Sequence, residues 1–129
     1  MQYGKEEDIM RLRNILIVVE DIEKSKKFYH DLFGLETILD DDACVILSEG
    51  LVLQKRSVWE KTIQKNILQK NHASELYFEE YDMDRFIKIL EQNPYPIDYV
   101  TSPVTYDWGK TIVRFYDPDG NLIEVGNPI

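Results

Sequence analysis

The same order of predicted elements occurs twice in this sequence, at a fixed interval. Each time, a short apolar run is followed by an aspartate that caps an amphipathic helix. The interval from Asn14 to Glu75 equals the interval from the capping Asp21 to the capping Asp82. A repeat of about half the chain predicts two equivalent units related by a pseudo-two-fold axis. Equivalent strand positions of the two units would then face a shared cleft.

Each half contains a predicted strand, a helix and three further strands. The first strand covers residues 14–19, and its β-branched side chains predict burial on both faces. The first helix begins after Asp21 and ends at Gly34, while the second begins after Asp82 and stops before Pro94. The other strands are predicted at residues 36–39, 43–47, 51–55, 75–79, 97–100, 110–116 and 121–126, with a partly helical connector at 56–71 and an irregular loop at 102–109.

These elements predict an α+β fold made of two βαβββ repeats. A length of 129 residues is enough for one domain with a hydrophobic core. We place that single domain at residues 10–127, with repeat one at about 10–56 and repeat two at about 73–127. The polar, acidic residues 1–9 are interpreted as an N-terminal extension.

A hairpin near the C-terminus places a carboxylate on a strand. Two apolar runs flank residues 117–120, where the sequence Asp-Pro-Asp-Gly is typical of a turn. In the outgoing strand, Ile123 and Val125 point to one face and Glu124 to the other. If that other face is buried, Glu124 needs a partner or a ligand. Arg114 on the preceding strand is the simplest partner.

Charge and composition exclude several classes of partner. The formal net charge is −9 and there is no basic patch, which argues against binding to a nucleic-acid backbone. Cys44 is the single cysteine, so an intrachain disulfide is excluded and a reducing compartment is favoured. No apolar run approaches the length that spans a membrane, and no signal peptide is recognisable at the N-terminus. The sequence predicts a cytoplasmic protein with no nucleic-acid or membrane partner.

Two segments resemble a known superfamily. Residues 14–34 (NILIVVEDIEKSKKFYHDLFG) and 108–126 (WGKTIVRFYDPDGNLIEVG) are similar to the signature ends of the glyoxalase/bleomycin-resistance/extradiol-dioxygenase group, the vicinal oxygen chelate superfamily. The resemblance covers nearly all of the chain after Met10. It implies that the two repeats form an eight-stranded, incompletely closed barrel, and that the protein is a homodimer.

The resemblance also implies a set of metal ligands, one from each of four strands. In metal-dependent members these are typically His or Gln, Glu, His and Glu. The matching positions here are Asn14, Gln54, Glu75 and Glu124. Such oxygen donors suit Mn²⁺, Mg²⁺ or a similar hard ion better than Zn²⁺ or Ni²⁺. Without a metal, the two carboxylates would repel each other, raise one apparent pKa, and act as acid and base or bind a cationic group. A weakly bound ion and no ion both remain open here.

Three further side chains are candidates for contact with a substrate. Tyr77 shares the predicted face of Glu75, Trp108 opens the final hairpin, and Arg114 could hold an anionic group. Each also has a structural interpretation: a core aromatic, a cap on the barrel end, and a partner of Glu124. His72, three residues before Glu75, is predicted to be a loop residue rather than a ligand.

The function implied by the resemblance is that of a glyoxalase-like, lactoylglutathione lyase-related protein. It would act on, or bind, a small molecule in the cleft between the repeats. If it is an enzyme, a lyase or isomerase of the glyoxalase type, then Glu75 or Glu124 would move a proton next to a carbonyl group. The alternative is a bleomycin-resistance-type protein that sequesters a toxic or antibiotic compound without catalysis.

Overall fold

The structure is a computed structural model and describes residues 10–128. The predicted extension at residues 1–9 therefore lies outside the described residues. The elements are β1 (Ile15–Val19), α1 (Ile22–Phe33), β2 (Thr37–Asp40), β3 (Cys44–Leu47), β4 (Leu51–Lys55), α2 (Arg56–Ile63), β5 (Leu76–Glu79), α3 (Met83–Gln92), β6 (Asp98–Thr105), β7 (Thr111–Tyr116) and β8 (Leu122–Gly126), with one 3₁₀ turn at Ser48–Gly50 before β4.

The strands form two four-stranded sheets of identical topology. Their orders are β1-β4-β3-β2 and β5-β8-β7-β6. In each sheet the first and last strands of the repeat pair in parallel, and the other neighbours pair antiparallel. The predicted α+β fold of two βαβββ repeats is confirmed, and the sheets do not close into a barrel.

Local chemistry sets the ends of the two long helices as predicted. The side chain of Asp21 accepts a hydrogen bond from the backbone N–H of Lys24 at 3.1 Å. Asp82 does the same for Arg85 at 3.0 Å, so both aspartates are N-caps. At the end of α1, Gly34 has φ of 70° and its N–H donates to the last turn, a conformation that favours glycine.

The prediction of an irregular loop at residues 102–109 is wrong in its first part. Strand β6 continues to Thr105, which pairs with Thr111 of β7, and the two hydroxyls lie 2.9 Å apart. The pairing of β6 contains two register shifts, and Pro103 lies within the strand. Bulges and a proline hide a strand in the sequence, because they break the alternation that identifies one.

Burial of the first strand on both faces is also wrong. Along β1, Ile17 and Val19 on one face are buried, whereas Leu16 and Val18 on the other face are only half-buried. The strand is apolar throughout but packs into the core with only one face. A strand that is apolar throughout looks the same in sequence as a strand buried on both faces, so the sequence pattern could not distinguish the two.

One core joins the two repeats. Phe33 of α1 stacks on Phe78 of β5 with ring centroids 4.1 Å apart, and lies parallel to Phe115 of β7 at 6.2 Å. The first helix therefore packs on the second sheet. The strand residues buried in this core include Ile17, Val19, Val45, Leu47, Leu53, Val113, Phe115, Ile123 and Val125. Because side chains alternate, the residues between them lie on the opposite face of each sheet.

The β7–β8 turn binds the second repeat to the first. Asp117 is 4% exposed, and its carboxylate accepts a 2.7 Å hydrogen bond from the hydroxyl of Tyr29 on α1. The Asn121 side chain donates to the same carboxylate oxygen at 2.8 Å. Asp119 accepts from the backbone N–H of Glu20 at 2.9 Å. We refer to Asp117, Asp119, Asn121 and Tyr29 as the inter-repeat clasp.

Candidate functional site

A row of polar residues crosses three neighbouring strands of the second sheet. Arg114 of β7 pairs with Glu124 of β8, and Glu124 pairs with Tyr77 of β5. Their strand neighbours Val113 and Val125 are buried in the core, so the row lies on the opposite face. The strand parity that predicted a shared face for Tyr77 and Glu124 therefore agrees with the register.

Glu124 and Arg114 form an ion pair. Nε of Arg114 lies 2.7 Å from Oε1 of Glu124, and the Glu124 side chain is only 12% exposed. Arg114 also donates a hydrogen bond to the hydroxyl of Tyr106. A charge-assisted bond at this distance, largely shielded from water, is strong and fixes the positions of both side chains. Arg114 is thus the partner that the sequence pattern required for Glu124.

Glu75 is the neighbour of this ion pair and carries a raised pKa. It directly precedes β5 and shares the face of Tyr77. Partial desolvation raises the pKa of Glu75 most, the charge of Glu124 raises it further, and a hydrogen bond between the two carboxyls adds to the effect. Arg114 acts in the opposite direction but does not cancel it. The surroundings of Glu75 therefore make it a weaker acid than a free glutamate.

Lys110 and Tyr77 form a second polar pair on this face. The ammonium of Lys110 lies 5.1 Å from the centre of the Tyr77 ring and hydrogen-bonds to its hydroxyl. Sequence reasoning missed Lys110. A signal was available, because Lys110 lies four residues before Arg114 and therefore shares its side of an extended chain.

Trp108 lies in the turn between β6 and β7. Its ring stacks on Tyr106 with centroids 5.5 Å apart and is 58% exposed. Since Tyr106 also contacts Arg114, the aromatic pair is continuous with the polar row. Tyr106 carried no signal in the sequence beyond its aromatic character.

Asn14 reaches the same region from the first repeat. Asn14 and Glu75 each directly precede the first strand of their repeat, and both line a cavity of about 650 Å³. A second cavity of about 300 Å³ also includes Glu75, together with the connector between the repeats. The cleft between the repeats, predicted from the equal intervals in the sequence, thus contains Glu75.

Gln54 does not occupy the position equivalent to Glu124. Leu16 pairs with Val52, and Tyr77, the equivalent of Leu16 in the second repeat, pairs with Glu124. The counterpart of Glu124 in the first repeat is therefore Val52. Gln54 lies two residues further along the same face of β4 and is 8% exposed. An apolar side chain replaces the oxygen donor that the resemblance implied.

His72 lies in the connector, as expected. Its Nε2 contacts the hydroxyl of Tyr116, and its ring packs at the edge of the Tyr116 ring. Lys70 lies over the same ring, 4.6 Å from its centre. These contacts fix the connector on the second sheet.

A divalent ion fits the donor set poorly as the structure arranges it. Within residues 10–128, no three His, Cys, Asp or Glu side chains are grouped as metal ligands. Val52 supplies no donor, and Glu124 already binds the guanidinium of Arg114, whose charge repels an incoming cation. We therefore derive no chemical step through a metal.

Solved structures share this fold. A protein of unknown function from Agrobacterium tumefaciens str. C58 is 30% identical, with a TM-score of 0.79 and 98% of both chains covered. A glyoxalase/bleomycin resistance protein/dioxygenase superfamily member from Sphaerobacter thermophilus DSM 20745 is 23% identical, with a TM-score of 0.69 over 94% of this chain and 99% of that one. FosX, a genomically encoded fosfomycin resistance protein from Listeria monocytogenes, is 16% identical, with a TM-score of 0.74 over 94% and 95%. The chain therefore has the fold of these glyoxalase/bleomycin resistance/dioxygenase superfamily structures.

The sequence itself matches one family within that superfamily. Residues 12–129 match the Glyoxalase-like domain family, and the chain belongs to it. A comparison with curated proteins gave no match. Among the helices of residues 10–128, none has the length and apolar character needed to cross a membrane.

Proposed function

We propose that this protein binds a small molecule in the cleft between its repeats and transfers a proton to or from it through Glu75. The observation that carries the proposal is the arrangement of Glu75, Glu124 and Arg114. Arg114 pairs with Glu124, and partial desolvation together with the adjacent charge of Glu124 raises the pKa of Glu75, as suits a group that exchanges protons with a ligand. Glu75 remains exposed to solvent, so a ligand can reach it.

The reaction class that suits this arrangement is proton transfer next to a carbonyl group. In a substrate whose carbon beside the carbonyl carries a hydroxyl group, ionised Glu75 removes the hydrogen of that carbon as a proton, and the electrons of the C–H bond move onto the carbonyl oxygen to give an enediolate. Protonated Glu75 then returns the proton to the former carbonyl carbon, while the hydroxyl proton passes to the other oxygen and the hydroxyl-bearing carbon becomes the new carbonyl, which completes an isomerisation. This is the lyase or isomerase chemistry of the glyoxalase type, carried by a carboxyl pair.

A second candidate function is sequestration without chemistry. The exposed Trp108 ring, stacked on Tyr106, offers a flat surface for planar compounds that needs no reacting group. Similarity to FosX, a fosfomycin resistance protein, is compatible with a protective role of this kind.

Proton exchange in D₂O distinguishes the two functions. Small 2-hydroxy ketones and 2-oxo aldehydes are incubated with the protein, and loss of the proton beside the carbonyl is followed by ¹H NMR. Exchange faster than in buffer supports proton transfer. A compound that binds, as seen by quenching of Trp108 fluorescence, but exchanges no faster than in buffer supports sequestration.

We further propose that divalent ions bind only weakly. Protein purified without added metal is expected to contain no tightly bound Zn²⁺ or Ni²⁺, and Mn²⁺ or Mg²⁺ should bind weakly. A cation competes with a proton for Glu75, so Mn²⁺ binding should strengthen as the pH rises through the raised pKa of Glu75. Calorimetric titration at two pH values measures this, and Glu124→Gln should weaken it. Tight, pH-independent Zn²⁺ binding would show that other residues are the ligands, with His72 the first to test.

The assembly that we propose is a cytoplasmic homodimer. Strand β2 is an outer strand of its sheet and exposes Ile38 and Leu39, an apolar surface that pairing would cover. Sedimentation velocity at micromolar concentration should show a dimer, and Ile38→Asp should shift it towards monomer. A wild-type protein that sediments only as a monomer would contradict this prediction.

A further inference from the structure

Lys110 is a charged residue of the site that has no role in the proton transfer proposed for Glu75, Glu124 and Arg114. It directly precedes β7 and lies on the same side of the chain as Arg114. Its hydrogen bond goes to the phenol of Tyr77, and Glu124 and Glu79 act on it only through their charge.

The ammonium of Lys110 makes no ion pair with a carboxylate of residues 10–128. A phenol occupies one N–H of the ammonium, so further donors remain for a ligand. Other lysines behave differently and contact carboxylates directly: Lys26 with Asp40 at 2.7 Å, Lys27 with Asp31 at 2.9 Å, and Lys70 with Asp98 at 3.1 Å.

The absence of a side chain at Gly126 allows the side chains of Lys110 and Tyr77 to approach each other. A Cβ at Gly126 would lie 3.1 Å from both Cε of Lys110 and the hydroxyl oxygen of Tyr77, which is tighter than ordinary packing. It would also lie 3.4 Å from Cγ1 of Ile112. The missing side chain thus leaves a small recess in which an ammonium and a hydroxyl converge over an apolar floor.

Lys110 can hold an anion in spite of the net charge of −9, because its ammonium contacts no carboxylate of residues 10–128. Arg114 and Glu124 neutralise each other at 2.7 Å, which leaves the ammonium of Lys110 available to a ligand. Among the described residues, the exposed carboxylate of Glu79 acts on Lys110 only through its charge and forms no ion pair with it. The aromatic pair is close by, because the backbone N–H of Tyr106 donates to the carbonyl of Lys110 at 2.8 Å.

We propose that Lys110 and the hydroxyl of Tyr77, above Gly126, form a subsite for an oxyanion, a carboxylate or a phosphate group, of the molecule that occupies the cleft. The inference rests on the proposed function and narrows its substrate class to small anions. The ammonium and the hydroxyl each donate a hydrogen bond to the anion, while Glu75 acts on another part of the same molecule. A planar group of the ligand lies against Tyr106 and Trp108.

The test compares anionic probes with a neutral one of the same shape. Phenylacetate and phenyl phosphate are the anions, and phenylacetamide is the neutral probe. All variants carry Trp59→Phe, so that Trp108 is the single fluorescent tryptophan. Binding is measured by fluorescence quenching and by calorimetry. Wild-type protein should bind at least one anion more tightly than the amide, and the preferred anion shows whether a carboxylate or a phosphate fits.

Lys110→Met is expected to weaken anion binding by about 10–100-fold, as for loss of a charge-assisted hydrogen bond, and to leave phenylacetamide binding unchanged. Lys110→Arg should retain most of the anion affinity because it keeps the charge. Lys61→Met, which removes the same charge from an exposed position of α2, should have no effect. Unchanged anion binding by Lys110→Met, equal binding of anion and amide by the wild type, or no anion binding at millimolar concentration would each overturn the proposal.

A further variant separates this subsite from proton transfer. Glu75→Gln should bind the anions at least as well as the wild type, since it keeps Lys110 and removes a nearby acid. If anion binding depends on Lys110 and no compound undergoes exchange, the subsite stands and the proton-transfer function fails. If exchange occurs but Lys110→Met binds and reacts normally, the function stands and the subsite fails.

Discussion

Replacement of Glu75 by glutamine is expected to lower the rate of proton exchange beside a carbonyl by about 10²–10⁴-fold. Glutamine keeps the size and polarity of the side chain but cannot accept the proton. Binding of the carbonyl compound should change little, so the loss appears in kcat rather than in KM. Exchange is followed by ¹H NMR in D₂O, with Glu91→Gln on the exposed side of α3 as the matched control.

The pH dependence of the exchange rate distinguishes the loss of a catalytic base from a simple loss of structure. A general base must be ionised, so the rate should rise with pH through the raised pKa of Glu75 and then level off. Glu124→Gln removes the negative charge that raises this pKa, and the rise should move to lower pH. Arg114→Met removes the charge that lowers it, and the rise should move to higher pH. Shifts of both variants in the same direction would contradict the assignment of Glu75 as the base.

Replacement of Asp117 by alanine is expected to lower the free energy of unfolding by about 3–5 kcal/mol. The buried carboxylate accepts from the hydroxyl of Tyr29, from the side chain and backbone of Asn121, and from the backbone of Asp119, at 2.7–2.9 Å. Alanine leaves these donors buried without an acceptor, and the contact between the repeats is lost. Urea unfolding followed by circular dichroism measures the change.

Two further variants show whether the clasp is the cause. Tyr29→Phe removes one donor and leaves the others paired, so about 1–2 kcal/mol of destabilisation is expected. Asp41→Ala removes an aspartate from the exposed β2–β3 turn and should change stability little. If Asp117→Ala were no more destabilising than Asp41→Ala, the turn would not be holding the repeats together.

Features that depend on neighbours in the sequence were predicted correctly. Asp21 and Asp82 cap their helices, Gly34 ends the first, and residues 117–120 turn between β7 and β8. Each depends on the conformational preference or hydrogen bonding of a few adjacent residues, which any environment leaves intact. The repeat interval also holds in the structure, because the starts of β1 and β5 are as far apart in the chain as the starts of α1 and α3.

The sequence by itself determined the two repeats, their element order and the faces on which Glu75, Tyr77 and Glu124 lie. Only the tertiary structure decided the register. Val52 and Gln54 differ by two positions, and side chains alternate with a period of two, so the pattern could not distinguish them. The contacts between side chains of the site could not be predicted from the sequence either. Lys110 meets Tyr77 because strands distant in sequence pair beside Gly126, and packing across strands is not encoded in the residues next to each other.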